Sequence, residues 1–283
     1  MAVLTLPVSA RRTGLGRSNL TIIASGTVLA LAAVTAIAPN LLARTDPLFA
    51  DPTASLAAPS AAHWAGTDLQ GRDVFSRIVH GARYSLSIGL GATILALAAG
   101  LLLGVLAATA PRWADQIVSR AVDILAAFPE VLLALLFIAL TGPGVTNLIV
   151  AIGIAGIPKY ARLVRTQVLA TRQSGYVEQA RTFGITGLHS LLRHVLPNAL
   201  GSLPIIATIG LGEAIVSSAA LSFLGLGPQP PSPEWGLMIS ESRDYLRHAW
   251  WLGVFPGAAV TVVVIAATVL GRTLQARYER RSS

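Results

Sequence analysis

A chain of 283 residues in which 53% are hydrophobic and only 12% are charged has too little polar surface to clothe a soluble globule, which leaves an integral membrane protein. The formal charge of +8 is carried by arginines beside apolar runs, with Lys159 as the single lysine, and not by one basic patch, so nucleic acid is not an expected partner. The lack of cysteine excludes disulfides, thiolate metal sites and a cysteine nucleophile.

Residues 1–19 are expected to form a cytoplasmic N-terminal tail with Arg11, Arg12 and Arg17, and residues 20–38 follow without a charge. A span needs about 20 apolar residues, so this run predicts a retained anchor helix; it is too long for the apolar centre of a typical signal peptide. Residues 39–83 are mixed and proline-containing, with Asp46, Asp51, Asp68 and Asp73 set against Arg44, Arg72 and Arg77. They predict an exposed loop that ends in a short helix. Arg72 next to Asp68 and Asp73 reads as a local ion pair of small value at a surface.

A five-span core is expected over residues 84–271. Residues 84–110 carry no charge, and Ala92, Ala96, Gly100, Gly104 and Ala108 recur every four positions, a small-residue face that lets another helix approach closely. Residues 111–115 read as a short basic turn, and residues 121–140 as a third span holding Asp123 and Glu130. The sequence Thr141-Gly142-Pro143-Gly144 makes a hairpin. Residues 145–163 form a fourth span whose polar end is marked by Lys159, Arg162 and Arg165. Residues 199–223 form the fifth span, with Glu213, Ser217 and Ser218. Residues 224–248 are an exposed, proline-rich segment, residues 249–271 the sixth span, and residues 272–283 a basic tail. Most of the 21 lysines and arginines fall on the cytoplasmic side when both termini are placed there.

Between the fourth and fifth spans, residues 171–198 are charged and broken. Tyr176, Val177, Ala180 and Phe183 recur at helical spacing, Gly184 stops that helix, and Leu188, Leu191, Leu192 and Val195 make a second stripe before Pro197. Two short helices with a glycine elbow are expected. They are either a helix pair lying on the membrane surface or a docking knob for a partner protein.

Spacing within that stretch is specific. Glu178, Ala180, Gly184, Leu196 and Pro197 resemble the loop signature of ABC-importer permeases, Glu-Ala-Ala, three residues, Gly, nine residues, Ile, any residue, Leu-Pro, with Gln179 and His194 as departures. Residues 63–68, Gly71-Arg72-Asp73, Gly81-Ala82-Arg83, residues 222–227 and Pro230-Pro231 with Trp235-Gly236 are similar to the dipeptide, oligopeptide and nickel importer permeases. The likeness runs from about residue 60 to the sixth span.

The resemblance implies an all-α, type I ABC-importer permease of six transmembrane helices in a prokaryotic cell membrane. Its expected partners are a homologous second permease subunit, ATP-binding subunits, an extracytoplasmic substrate-binding protein and the lipid bilayer. It implies a coupling loop in which Tyr176, Glu178, Ala180, Arg181, Gly184, Leu196 and Pro197 meet the ATPase, and an outer surface in which Arg72, Asp73, Pro231 and Trp235 are candidates to meet the binding protein. ATP and Mg would be held by the partner ATPases, so this chain is expected to have no cofactor, no metal and no catalytic residue of its own. Glu130, Glu213, Ser217 and Ser218 are the candidate substrate path, because a carboxylate in mid-bilayer costs roughly 2.5–3.5 kcal/mol on insertion scales and must face water, protein or a cation. Those groups suit the amine and backbone of a di- or oligopeptide. A nickel-importing permease of the same family is the alternative, and an ion-coupled secondary carrier a more distant one.

Overall fold

The computed structural model describes residues 15–43, 45–183 and 187–282, and among them no strand occurs. Eleven α-helices follow in order. The long ones are α1 (Leu15–Ile37), α2 (Val74–Thr109), α5 (Val145–Arg172), α9 (Leu203–Phe223) and α11 (Trp251–Ser282). All five are long and apolar enough to cross a membrane, and α3 (Arg112–Ala126) with α4 (Glu130–Thr141) adds a sixth if that bent pair counts as one span.

The small-residue stripe of α2 does what its spacing predicts. Ala92, Ala96, Gly100, Gly104 and Ala108 are all buried, and α2 packs on α5 along its length. With Ile88, Leu148, Ala151 and Ile152, Ala92 belongs to the central apolar cluster. The anchor α1 lies outside this pair against α11 and α2, and is largely exposed, as expected for a helix whose neighbours are lipid on most sides.

Several expectations change. The loop over 39–83 ends earlier, because Asp73 accepts a hydrogen bond from the Ser76 amide (2.7 Å) and caps a helix that runs unbroken from Val74 into the second span. The fourth span continues to Arg172, and the sixth continues through the supposed tail to Ser282. Apolar runs measure the part of a helix that sits in lipid, and a charged extension need not break it. The third span is not one straight helix: α3 and α4 meet at 88°, with Pro129 as the N-cap of α4. Proline lacks an N–H and drives the preceding residue, here Phe128, away from helical geometry. The presumed basic turn at 111–115 is the first turn of α3.

The segment over 224–248 is also not simply exposed. It holds α10 (Trp235–Ser242), which packs on α9, α11 and α2. Trp235, Trp251, Ala65 and Val74 share one core cluster, so residues 39–73 and 224–250 together close one end of the bundle. At the opposite end, α6 (Gly175–Thr182) and α7 (Gly187–Ser190) flank the elbow. A π turn over Leu191–Val195 then leads into α8 (Leu196–Ala199). The expected elbow residue Gly184 lies outside the described residues; within them, Gly187 holds the positive φ, +62°, that glycine adopts without strain.

Candidate functional site

At the knob, α6 is held from within. Val177 points into a cluster with Ala108, Val164, Val168, Val195 and Ala199 that joins the ends of α2 and α5 to the approach to α9, and Ala180 is also buried. The Arg172 guanidinium donates to the Ala108 carbonyl at the end of α2, a cation satisfying an orphan acceptor at a helix C-terminus. Leu191 packs against this cluster as well, but Tyr176, Phe183, Leu188 and Leu192 do not go inward. Phe183 is 84% exposed and Leu188 68%, and Tyr176, Leu192 and Glu178 are exposed beside them. Leu196 is half-buried and Pro197 exposed. The knob therefore has an anchored face and a free face that is both apolar and charged, which a helix pair merely capping its own bundle does not require.

Midway along the bundle, three helices bring charge to one narrow cavity. Glu213 is the central residue of the 21-residue α9, and Lys159 lies in the middle of the 28-residue α5; their side chains form a direct ion pair. Glu130, at the start of α4 just past the Pro129 break, lines the same cavity, as does Tyr160. Space is made by Ala92 and Ala96 of α2 with Gly156, Gly210 and Ala214. A Cβ at Gly210 would stand 1.9 Å from the Tyr160 hydroxyl, so a side chain there would displace that ring.

Lys159, expected at the polar end of the fourth span, lies at the middle of α5, opposite the path candidate Glu213. Its being the sole lysine, with Pro158 just before it inside a helix, was the available signal. Of the other two candidates, Ser217 is half-buried beyond Glu213, and Ser218 is fully buried and donates back to the Ile215 carbonyl at 2.9 Å.

Asp123 pairs with Arg162 (2.9 Å) across α3 and α5, not with Arg120 on its own helix, and Asp115 binds Arg165 through both oxygens (2.9 and 2.7 Å). These pairs give α3 a reason to lay its polar face along α5.

The closed end uses its motif residues internally. Arg72 donates to Asp68 at 2.6 Å, and Arg77 donates to Asp68 (2.6 Å), Glu241 (3.1 Å) and the Ser232 carbonyl (3.3 Å). Asp68, Arg72 and Arg77 are buried, so this is an interior network and not the weak surface pair expected. Asp73 caps α2 and meets His63 at 3.0 Å. Trp235 is buried and its indole N–H donates to the Ile78 carbonyl at 2.8 Å. Only Pro231 of the four candidates for contact with a binding protein is exposed. Glu234, which sequence reading passed over, is fully buried and caps α10 by accepting from the Gly236 (3.0 Å) and Leu237 (2.8 Å) amides and from Ser85 (3.1 Å). No local pattern marks it, because Ser85 is distant in sequence.

A bundle of long apolar helices with paired charges at mid-span and an anchored helical knob at one end is the architecture of a membrane-embedded transport component. The chain belongs to the family of binding-protein-dependent transport system inner membrane components, whose model matches residues 100–283.

Among curated relatives, it is 42% identical over 240 residues to the dipeptide transport system permease protein of Alkalihalophilus pseudofirmus, covering 85% of this chain and 79% of that one. It is 43% identical over 217 residues to the glutathione transport system permease protein of Pectobacterium atrosepticum, covering 77% and 72%. The probable D,D-dipeptide transport system permease protein of Escherichia coli is 40% identical over 249 residues, covering 88% and 84%. The fold is similar to that of an amino acid ABC transporter chain (TM-score 0.59, 16% identity, covering 72% of this chain and 94% of that one). It is similar too to an inward-facing methionine ABC transporter chain (TM-score 0.58, 22% identity, covering 70% and 94%).

Proposed function

We propose that this chain is one of two permease subunits that form the translocation pathway of an ATP-driven importer of di- and oligopeptides. ATP and Mg are held by separate ATPase subunits, and an extracytoplasmic binding protein delivers the substrate. The names of the relatives, which refer to dipeptide and glutathione transport, support peptides over nickel. The observation that carries the coupling role is the two-faced knob: Val177 packs with residues of α5 and α9 and Ala180 is buried, while Tyr176, Glu178 and Phe183 stand free. Force applied to the free face passes through Val195 and Ala199 into α9, the helix that bears Glu213.

In this reading Tyr176, Glu178, Arg181, Gly184 and Pro197 meet the ATPase. Ala180 and Leu196 serve from the inner side. Glu130, Glu213 and Ser217 border the path, with Ser218 packed behind them. Pro231 offers the outer contact, and Arg72, Asp73 and Trp235 hold that surface in shape. Both termini and the knob face the cytoplasm.

The test is Glu178→Arg combined with Phe183→Asp in the assembled transporter. Each change lies on an exposed surface, so insertion and pairing of the permease subunits should be intact. The ATPase subunits should be lost on purification, or peptide-stimulated ATP hydrolysis should fall at least tenfold. Full retention of both would refute the docking role.

A further inference from the structure

We propose that Lys159 and Glu213, with Glu130 beside them, are an exchangeable ion pair that receives the two charged ends of a peptide in transit. The carboxylate terminus takes Lys159 from Glu213, and the ammonium terminus takes the released Glu213 or Glu130. This deepens the peptide-import reading and rests on it.

Four observations converge. The pair sits at the middle of both α5 and α9, where water is furthest away and a zwitterion most needs replacement partners for its lost hydration. It is not sealed: the Lys159 and Glu213 side chains are 41% and 54% exposed, so the pair opens on one face of the subunit. That face cannot be lipid, which would solvate neither charge. It therefore faces the second permease subunit, between which and this one the pathway runs. The residues around it are small, Ala92, Ala96, Gly156 and Gly210 among them, and leave the charged atoms uncovered.

Charge count separates this site from a simple staple between two helices. One lysine faces two carboxylates, so the cluster holds an acid beyond what neutral pairing needs. That surplus suits an arriving ammonium. Pro158 has no N–H, which deprives the Ile154 carbonyl of its usual helical donor and adds an acceptor one turn away. An ion pair already formed is also the right resting state, because each of its two members is exchanged for a like charge on the substrate.

The experiment uses the complete transporter in proteoliposomes with its binding protein, offered labelled dialanine and labelled alanyl-alanine amide. Because both peptides pass through the same binding protein, a change in their ratio between wild type and variant reports the pathway alone. Lys159→Met with Glu213→Gln removes both charges together. Dialanine uptake should fall at least tenfold, with amide uptake changed less than twofold. An equal loss for both peptides, as a structural staple would give, or no loss for either, overturns the proposal.

Glu130→Gln leaves the Lys159–Glu213 pair in place and guards against misfolding of the double variant. It should lower uptake of dialanine at least threefold relative to N-acetyl-dialanine, and an unchanged ratio again overturns the proposal. If the wild type imports neither peptide while importing another solute, the peptide reading itself has failed. Normal wild-type import with unaltered variants sinks the ion-pair site alone.

Discussion

Glu234 shows how a single side chain sets the conditions under which one end of the molecule holds together. Its carboxylate is fully buried yet accepts two backbone amides and the Ser85 hydroxyl, fixing α10 to α2. Burial pushes its pKa above the ordinary 4.5, against the opposing pull of the amide hydrogen bonds. The folded state thus holds the proton more tightly than the unfolded chain. The associated stability is complete below about pH 4.5 and is lost as pH rises through the raised folded value. Thermal unfolding of the purified protein between pH 4 and 8 should show a midpoint that declines with pH. Glu234→Gln should flatten that decline, at a baseline cost on the order of 1 kcal/mol for the acceptor it loses. A wild-type midpoint that rises with pH, or a Gln variant with the same slope, would show that burial does not control this group.

Among the elements, the α2–α5 contact tests most directly what a small-residue stripe is worth. A Cβ on Gly104 would lie 2.7 Å from both the Ala161 carbonyl oxygen and the Val164 Cβ, and backbone cannot yield as a flexible side-chain tip can. Gly104→Val should therefore cost roughly 1–3 kcal/mol through overpacking. Gly257→Ala, on α11 with nothing within 4 Å of the added carbon, should be neutral or stabilising by up to about 1 kcal/mol from helix propensity. Thermal midpoints of the two variants in detergent check this; equal effects would mean that the stripe is not a packing surface.

That stripe was legible from spacing alone, and so were the long helices, because a charge-free run and a four-residue period are local properties of the chain. The α3–α4 break was not read, although Pro129 stood in plain view, because the apolar count on either side of it is continuous. The extent of α5 was missed for a related reason. A basic residue after an apolar run reads as a membrane border, yet Lys159 lies mid-helix with its counter-charge on α9. Burial of Arg77 depends on Glu241 and Ser232, far along the chain, and no window of sequence contains both.

At the scale of the whole molecule, the ends of the bundle differ in charge, and that difference predicts an orientation. Arg112, Arg172 and Arg193 lie at or near the knob end, on α3, α5 and the π turn, whereas Asp46, Asp51, Glu241 and Asp244 belong to the closed end formed by residues 39–73 and 224–250. Moving Lys159 to mid-span removes one cation from the knob side without reversing this balance, so the positive-inside tendency predicts a cytoplasmic knob. The chain has no native cysteine, so single introduced thiols report cleanly. His189→Cys on the knob and Arg247→Cys on the closed end both replace exposed residues. A membrane-impermeant maleimide added to intact spheroplasts should label the position-247 thiol at once and the position-189 thiol only after permeabilisation. Labelling of both from outside would mean that the two ends share a side and that the bundle does not cross the membrane as its helices suggest. Labelling in the reverse order would keep the fold but invert it, placing the free face of α6 away from ATP and ending its role in coupling.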